Sequence, residues 1–184
     1  MDRLQVKSWK NLVTSATFVL TALPLLFASA CQQAPTSRST EDIDTYMASL
    51  AGKSVELAKS SYGIALDYSP RSVEDVEKIL TTKYDLLKNQ PMSEDQFADA
   101  ANIWGAYIGE VLKRARPAHW EKDSSRGDKG ALPIVFNDTH EEAFPCAWVY
   151  HRLKNGPEDS VTTKFEFVAH PGGIQKYLKD HSAH

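Results

Sequence analysis

From Ser93 to Ala115 the chain reads Ser-Glu-Asp-Gln-Phe-Ala-Asp-Ala-Ala-Asn-Ile-Trp-Gly-Ala-Tyr-Ile-Gly-Glu-Val-Leu-Lys-Arg-Ala. The pattern predicts one long helix. Ser93 and Gln96 have the spacing of a capping box, in which two side chains satisfy backbone N–H groups at the helix start. Glu94 and Asp95 fall in the first turn and Lys113, Arg114 and Arg116 near the last, each on the side that the helix dipole favours; Pro117 ends it. Phe97, Ala101, Trp104, Ile108, Val111, Leu112 and Ala115 recur at the helical period and form an apolar stripe. Ala98, Ala101, Gly105 and Gly109 make a strip of small residues beside it. A mid-helix glycine costs about 1 kcal/mol against alanine. Gly105 and Gly109 are therefore expected to face a closely packed neighbour. The same glycine spacing occurs in membrane helix pairs, but this helix carries too many charges to span a bilayer.

Working outward towards the N-terminus, Ser72 with Glu74 and Asp75 predicts the start of another helix, whose face is Val73, Val76, Leu80, Tyr84 and Leu87. Ile64 to Tyr68 reads as a short strand. An earlier helix, capped by Ser39 or Thr40 and ended by Gly63, has Ile43, Tyr46, Met47, Leu50, Leu57 and Ala58 on one face, with Gly52 as an interruption. Gln32 to Thr40 is a polar tether.

After Pro117 the pattern becomes mixed. Trp120 opens a short strand, Ser124 to Gly130 is a loop with turn chemistry, and Leu132 to Phe136 is strand-like. Phe144 to Leu153 fits either helix or strand. Asn155 to Asp159 is a turn, Val161 to Ala169 alternates as a strand, and a short final helix follows with Ile174, Tyr177 and Leu178. Helix-rich sequence followed by strand-rich sequence implies an α+β fold, with the N-terminal helices packed on a small, mostly antiparallel sheet from the C-terminal half.

The chain has 184 residues, 42% hydrophobic, enough for a single core. The expected organisation is a signal peptide over 1–30, a lipidated cysteine and tether over 31–40, and one globular domain over 41–182. The first 30 residues contain three basic and one acidic side chain, which leaves 18 basic against 23 acidic, net −5. A mildly acidic domain with no basic run argues against nucleic-acid binding. Nothing in the sequence calls for a cofactor.

Residues 1–30 have the three parts of an export signal: Arg3, Lys7 and Lys10, an apolar run from Leu12 to Phe27, and the small residues Ala28-Ser29-Ala30 before Cys31. The segment resembles that of bacterial lipoproteins, in which the cysteine after the small residues becomes the acylated N-terminus. That resemblance implies a membrane-anchored protein of the bacterial cell envelope. Gln32 after the cysteine implies, by the same resemblance, the outer membrane with the domain facing the periplasm. Ala28-Ser29-Ala30 is also an ordinary signal-peptidase site, and an uncleaved anchor is a third reading.

Two further stretches, Trp104-Gly105-Ala106-Tyr107-Ile108-Gly109-Glu110-Val111 with Trp120, and Tyr150 to Ser160, resemble an uncharacterised bacterial domain family with a Gly-x-Tyr-x-Gly-Glu helix before a small sheet. The resemblance covers roughly residues 60–170 and implies the fold without supplying an activity.

Candidates for chemistry are few. Glu110 is read either as the surface partner of Arg114 one turn on, or as a carboxylate partly buried among Trp104, Tyr107 and Trp120, able to contact a ligand or partner. Cys146 follows Pro145 near a possible helix start and could pair with His140 or His151 as a nucleophile, but no catalytic signature surrounds it and the favoured reading is a small buried side chain among Phe144, Trp148 and Val149. Asp138, His140, Glu141 and Glu142 carry metal-ligating groups. Phe144 stands where the zinc signature His-Glu-x-x-His needs its second histidine, so no metal site is expected and the stretch reads as a polar loop. The leading expectation is a lipid-anchored envelope protein that binds another protein or a cell-wall component, an immunity-type protein being one version. The alternative is a small periplasmic hydrolase using Glu110, or Cys146 with His140 or His151.

Overall fold

The computed structural model describes the backbone of residues 38–170 and the side chains of residues 43–170. Expectations for the export segment, Cys31, the tether before residue 38 and the final helix lie outside the described residues.

Helices α1 (Arg38–Tyr62), α2 (Ser72–Leu87) and α3 (Glu94–Ala115) lead into strands β1 (Ala118–Trp120), β2 (Ile134–Phe136) and β3 (Glu142–Ala143), and helices α4 (Pro145–Asn155) and α5 (Val161–Ala169) close the fold. The three strands form an antiparallel meander in which Trp120 faces Ile134 and Ile134 faces Ala143. The architecture is α+β, with a small antiparallel sheet in the C-terminal half.

Helix α3 is the axis. Its Ser93–Gln96 capping box forms, with the hydroxyl accepting from Gln96 N and the Gln96 side chain accepting from Ser93 N at 2.8 Å. From Trp104 to Leu112 every residue is buried, glycines and Glu110 included. A helix buried on all sides needs neighbours all round. α1 covers one side, where Ser54 Oγ donates to Ile103 O at 2.6 Å; α4 covers another. Ala98 and Ala115 are exposed, so the predicted strips end short of both termini.

The two glycines set these approaches. A Cβ on Gly105 would stand 2.5 Å from Cys146 Cα and 2.7 Å from Cys146 N, so α3 and α4 meet there backbone to backbone. A Cβ on Gly109 would fall inside the Trp120 indole, 2.5 Å from Cη2. Both gaps are filled before a methyl group could enter.

Several local expectations need correction. Gly52 does not interrupt α1, which runs unbroken to Tyr62 and ends at Gly63 (φ +66°), with Gly63 N bonded to Lys59 O and Ile64 N to Ala58 O. The core face of α1 is Met47, Leu50, Ala51, Ser54 and Ala58, which leaves the predicted face members Tyr46 and Leu57 exposed. Ser72 does not cap α2: its hydroxyl turns back to Ser69 O and to Tyr107 Oη. Ile64 to Tyr68 forms no strand, because the segment turns sharply at Tyr68, whose φ is 60°. The short strand expected to open at Trp120 instead ends there.

Phe144 to Leu153 resolves as helix, with Pro145 in the first turn. Val161 to Ala169 is helix α5 rather than a strand. Val161, Phe165 and Ala169, one helical turn apart, are its buried residues.

Gly105→Ala should destabilise the domain by about 1–3 kcal/mol through overpacking, and Gly109→Leu by at least as much. Gly52, with nothing within 4 Å of an added Cβ, is the contrast. Gly52→Ala should stabilise by about 0.5–1 kcal/mol, the helix-propensity gain alone. Thermal melts of the three variants check the ordering; a Gly105→Ala protein that melts like wild type refutes the packing account.

Candidate functional site

Glu110, Trp120 and Tyr107 are positioned by α3 and by the first strand after it. The Trp120 indole Nε1–H donates to Glu110 Oε1 at 3.1 Å, and Lys113 Nζ lies 3.2 Å from the same oxygen. Arg114 Nη1 stands 3.5 Å from Glu110 Oε2 and donates to Glu110 O at 2.7 Å. Glu110 is thus the buried carboxylate of the second sequence reading and also the Arg114 partner of the first. Asp44 of α1 completes the cluster by pairing with Lys113 and accepting from Trp120 N. Burial opposes the charge on Lys113, but the two carboxylates beside it outweigh this and raise its pKa.

Tyr107 joins through an aromatic relay. The Arg114 guanidinium lies 4.0 Å over the Tyr68 ring, and that ring stacks on Tyr107 at 4.9 Å. Tyr107 Oη accepts from Tyr68 N at 2.8 Å and lies 2.6 Å from Ser72 Oγ. The bond to Tyr68 N helps to hold a left-handed backbone that a bulky aromatic residue rarely adopts. Desolvation raises the pKa of both phenols. Trp104 is not part of this cluster; it packs edge-on against Tyr62, ring centres 6.2 Å apart.

Chemically the cluster is closed. Glu110 is 8% exposed; its Oε1 is taken up by Trp120 and Lys113, and its Oε2 faces the Arg114 guanidinium at 3.5 Å, so protein groups surround the carboxylate. Arg114 is the exposed member, and Tyr68, Lys113 and Asp44 are half-buried.

Cys146 lies deep in the α3–α4 contact. Desolvation pushes its thiol up to about 12, far from the thiolate a nucleophile requires. His140 sits on the exposed β2–β3 turn and His151 on the exposed face of α4, and neither bonds the thiol. The Cys–His pair of the hydrolase alternative therefore does not assemble. Asp138, His140, Glu141 and Glu142 are also separated in role. Asp138 holds Arg116 through two oxygens at 2.6 and 3.0 Å, while Glu142 accepts from Ser124 Oγ and Ser125 N. Among the described residues, no three His, Cys, Asp or Glu side chains are grouped to hold a metal ion.

Sequence reasoning missed the most deeply buried charge. Arg152 of α4 donates from Nε to Glu77 Oε1 at 2.5 Å and from Nη2 to Thr81 Oγ1 at 2.7 Å. Glu77 Oε2 accepts from Val161 N at 2.8 Å and Thr162 N at 3.4 Å, capping α5 from another helix. One ion pair thereby fastens α2, α4 and α5. Its only sequence signal is an arginine beside Val149 and Leu153 on the apolar side of α4. Arg116 is the second such case, 6% exposed, with its guanidinium 4.2 Å above the Phe136 ring.

Comparison of the chain with protein-family models, with curated proteins and with solved structures finds no match.

Two measurements check this picture. Glu77→Ala leaves Arg152 buried without its counter-ion and should cost about 3 kcal/mol, a fall in Tm of roughly 10 °C. Cys146 should resist a thiol reagent at pH 8 in the native protein and react at once in denaturant. Its folded pKa of about 12 lies above the ordinary value of 9.0. Its contribution to stability is therefore intact below pH 9 and declines as pH rises from there towards 12. Rapid native labelling refutes the buried assignment.

Proposed function

We propose that this chain is a lipid-anchored protein of the bacterial cell envelope that acts by binding a protein or a cell-wall component. The observation that carries the reading is the sequence Ala28-Ser29-Ala30-Cys31 at the end of a basic and then apolar N-terminal run, followed by a polar tether. Acylation of Cys31 would make the attachment durable, since each buried methylene adds about 0.8 kcal/mol and two or more chains add many. Gln32 after the cysteine favours the outer membrane, with the domain in the periplasm. The immunity-type version, in which the domain neutralises an exported toxin, fits a small acidic module held at its compartment boundary.

The closed chemistry of the domain supports binding over hydrolysis. Glu110 is held by Trp120, Lys113 and Arg114, and Cys146 is apart from both candidate histidines. The residues best placed to meet a partner near the former candidates are Arg114 and Tyr68, at the open end of the relay. The family resemblance around Trp104–Val111 belongs with this proposal and adds no activity to it.

Mass spectrometry of the protein from membranes should find an acylated Cys31 at the N-terminus, and Cys31→Ser should leave precursor or a soluble form. An unmodified Cys31 in the processed protein refutes the anchor. Glu110→Gln weakens the pairs to Lys113 and Arg114 and should lower the melting temperature, yet the protein that remains folded should keep its biological activity in an envelope assay; loss of activity in the folded variant would return the protein to the hydrolase reading.

A further inference from the structure

Helix α1 carries an outward stripe that the described residues leave uncovered: Tyr46, Ser49, Lys53, Leu57 and Ser60, all exposed and spaced by three or four residues. From Tyr46 to Ser60 is fourteen residue steps, about 21 Å of helix at roughly 1.5 Å per step. Tyr46 and Leu57, 50% and 38% exposed, are two of the three exposed large hydrophobic residues among those described; the third, Leu86, is on α2. The five residues named include no acid: Asp44 is turned inward to Lys113 and Trp120 N, Glu56 stands at the stripe's border, and the side chains of Glu41 and Asp42 in the preceding turn lie outside those described.

We propose that this face of α1 lies on the membrane surface, an inference that rests on the anchor reading above. Three arguments select a bilayer as the occupant. First, only seven peptide steps separate Cys31 from Arg38, a span of about 25 Å at full extension. α1 is therefore the element delivered nearest to the lipid. Second, the side chains suit a headgroup layer: Tyr46 and Leu57 offer apolar bodies, while the Tyr46 hydroxyl and Lys53 ammonium reach polar and anionic groups. Third, a short tether gives an effective concentration in the millimolar range, roughly, so two modest side chains suffice where a free domain would need many.

The test uses the full acylated protein in vesicles of phosphatidylethanolamine and phosphatidylglycerol. A fluorophore is placed on Lys53→Cys, and separately on Thr82→Cys, which lies on an exposed face of α2. The native thiols do not compete, because Cys146 is buried and Cys31 is acylated. Acrylamide in the water should quench the label at position 53 at least fivefold less than the label at position 82. Adding Tyr46→Ser and Leu57→Ser should bring the two to equal quenching. Equal quenching at both sites without those changes, with Cys31 shown acylated by mass spectrometry, overturns the docking and leaves the anchor standing. An unmodified Cys31 overturns both.

Discussion

The close approach of α3 to its neighbours at Gly105 and Gly109 governs the rest of the fold. Without a side chain at Gly105, the backbone of α4 at Cys146 reaches contact with α3; without one at Gly109, the Trp120 indole closes over the helix. The second contact also brings the Trp120 Nε1–H to Glu110. A glycine chosen for packing thus determines where a carboxylate finds its partner. Helix propensity alone would replace both glycines by alanine, gaining about 1 kcal/mol at each. The burial of Trp104, Trp120 and Tyr107 around them outweighs that gain, at about 1.5–3 kcal/mol for a large apolar side chain.

Burying a helix on every side creates a second constraint, because charged groups on or near it must be matched inside the protein. Glu110 is met by an indole, a lysine and an arginine, Arg116 by Asp138 and Thr139, and Arg152 by Glu77 and Thr81. Such pairs add little net stability over apolar replacements, yet breaking one costs several kcal/mol because it strands a charge. The Arg116 and Arg152 pairs join segments 22 and 75 residues apart, whereas the ion pairs of Glu110 lie within α3. Their effect is accordingly to fix register: Glu77 determines where α5 begins, and Arg116 holds the β2–β3 turn against α3. Arg152 Nη1 and Thr162 Oγ1 remain buried without partners, a local cost borne at the α2–α4–α5 junction.

Features encoded within a few residues were legible in the sequence. The capping box at Ser93, the stop at Pro117, the turn at Gly63 and the glycine contacts all follow from local chemistry, and so does the α+β class. What was not legible depends on distant partners. Val161, Phe165 and Ala169 fit a strand and a helix equally, being four apart. Thr163 and Phe167 tipped the local pattern towards a strand. Ser160 Oγ, which accepts from Thr163 N, was the overlooked helix signal, and Glu77 caps the same turn from 84 residues away. The face of α1 was displaced for a related reason: Tyr46 and Leu57 are as apolar as their buried neighbours, and hydropathy does not say which side α3 will cover. At the candidate site, a Glu110 buried beside Trp120 was the alternative to a surface pair with Arg114, and both contacts form. The separation of Cys146 from His140 and His151 was not decidable, because it depends on α4 burying one face and exposing the other.

The same division between closed and open chemistry shapes the surface. The loop from Asp123 to Gly130 is exposed but braced: Asp123 accepts from Gly130 N at 2.8 Å and from Lys129 at 2.9 Å, and Glu142 accepts from Ser124 and Ser125. Backbone donors at Gly130 and Ser125 lead the causes that hold both carboxyls below their ordinary range. The bracing is therefore complete above the usual carboxylate pKa and fades only as the pH falls through the lowered values. Gly127, at φ +95°, supplies the reversal at the tip, where Arg126 and Asp128 project into solvent. A loop ordered by buttressing at its base loses less entropy on meeting a partner than a free one. The domain thus commits its interior carboxylates to fixing its own shape, and on the binding reading proposed above the contacts come from the surface that this rigidity holds in place.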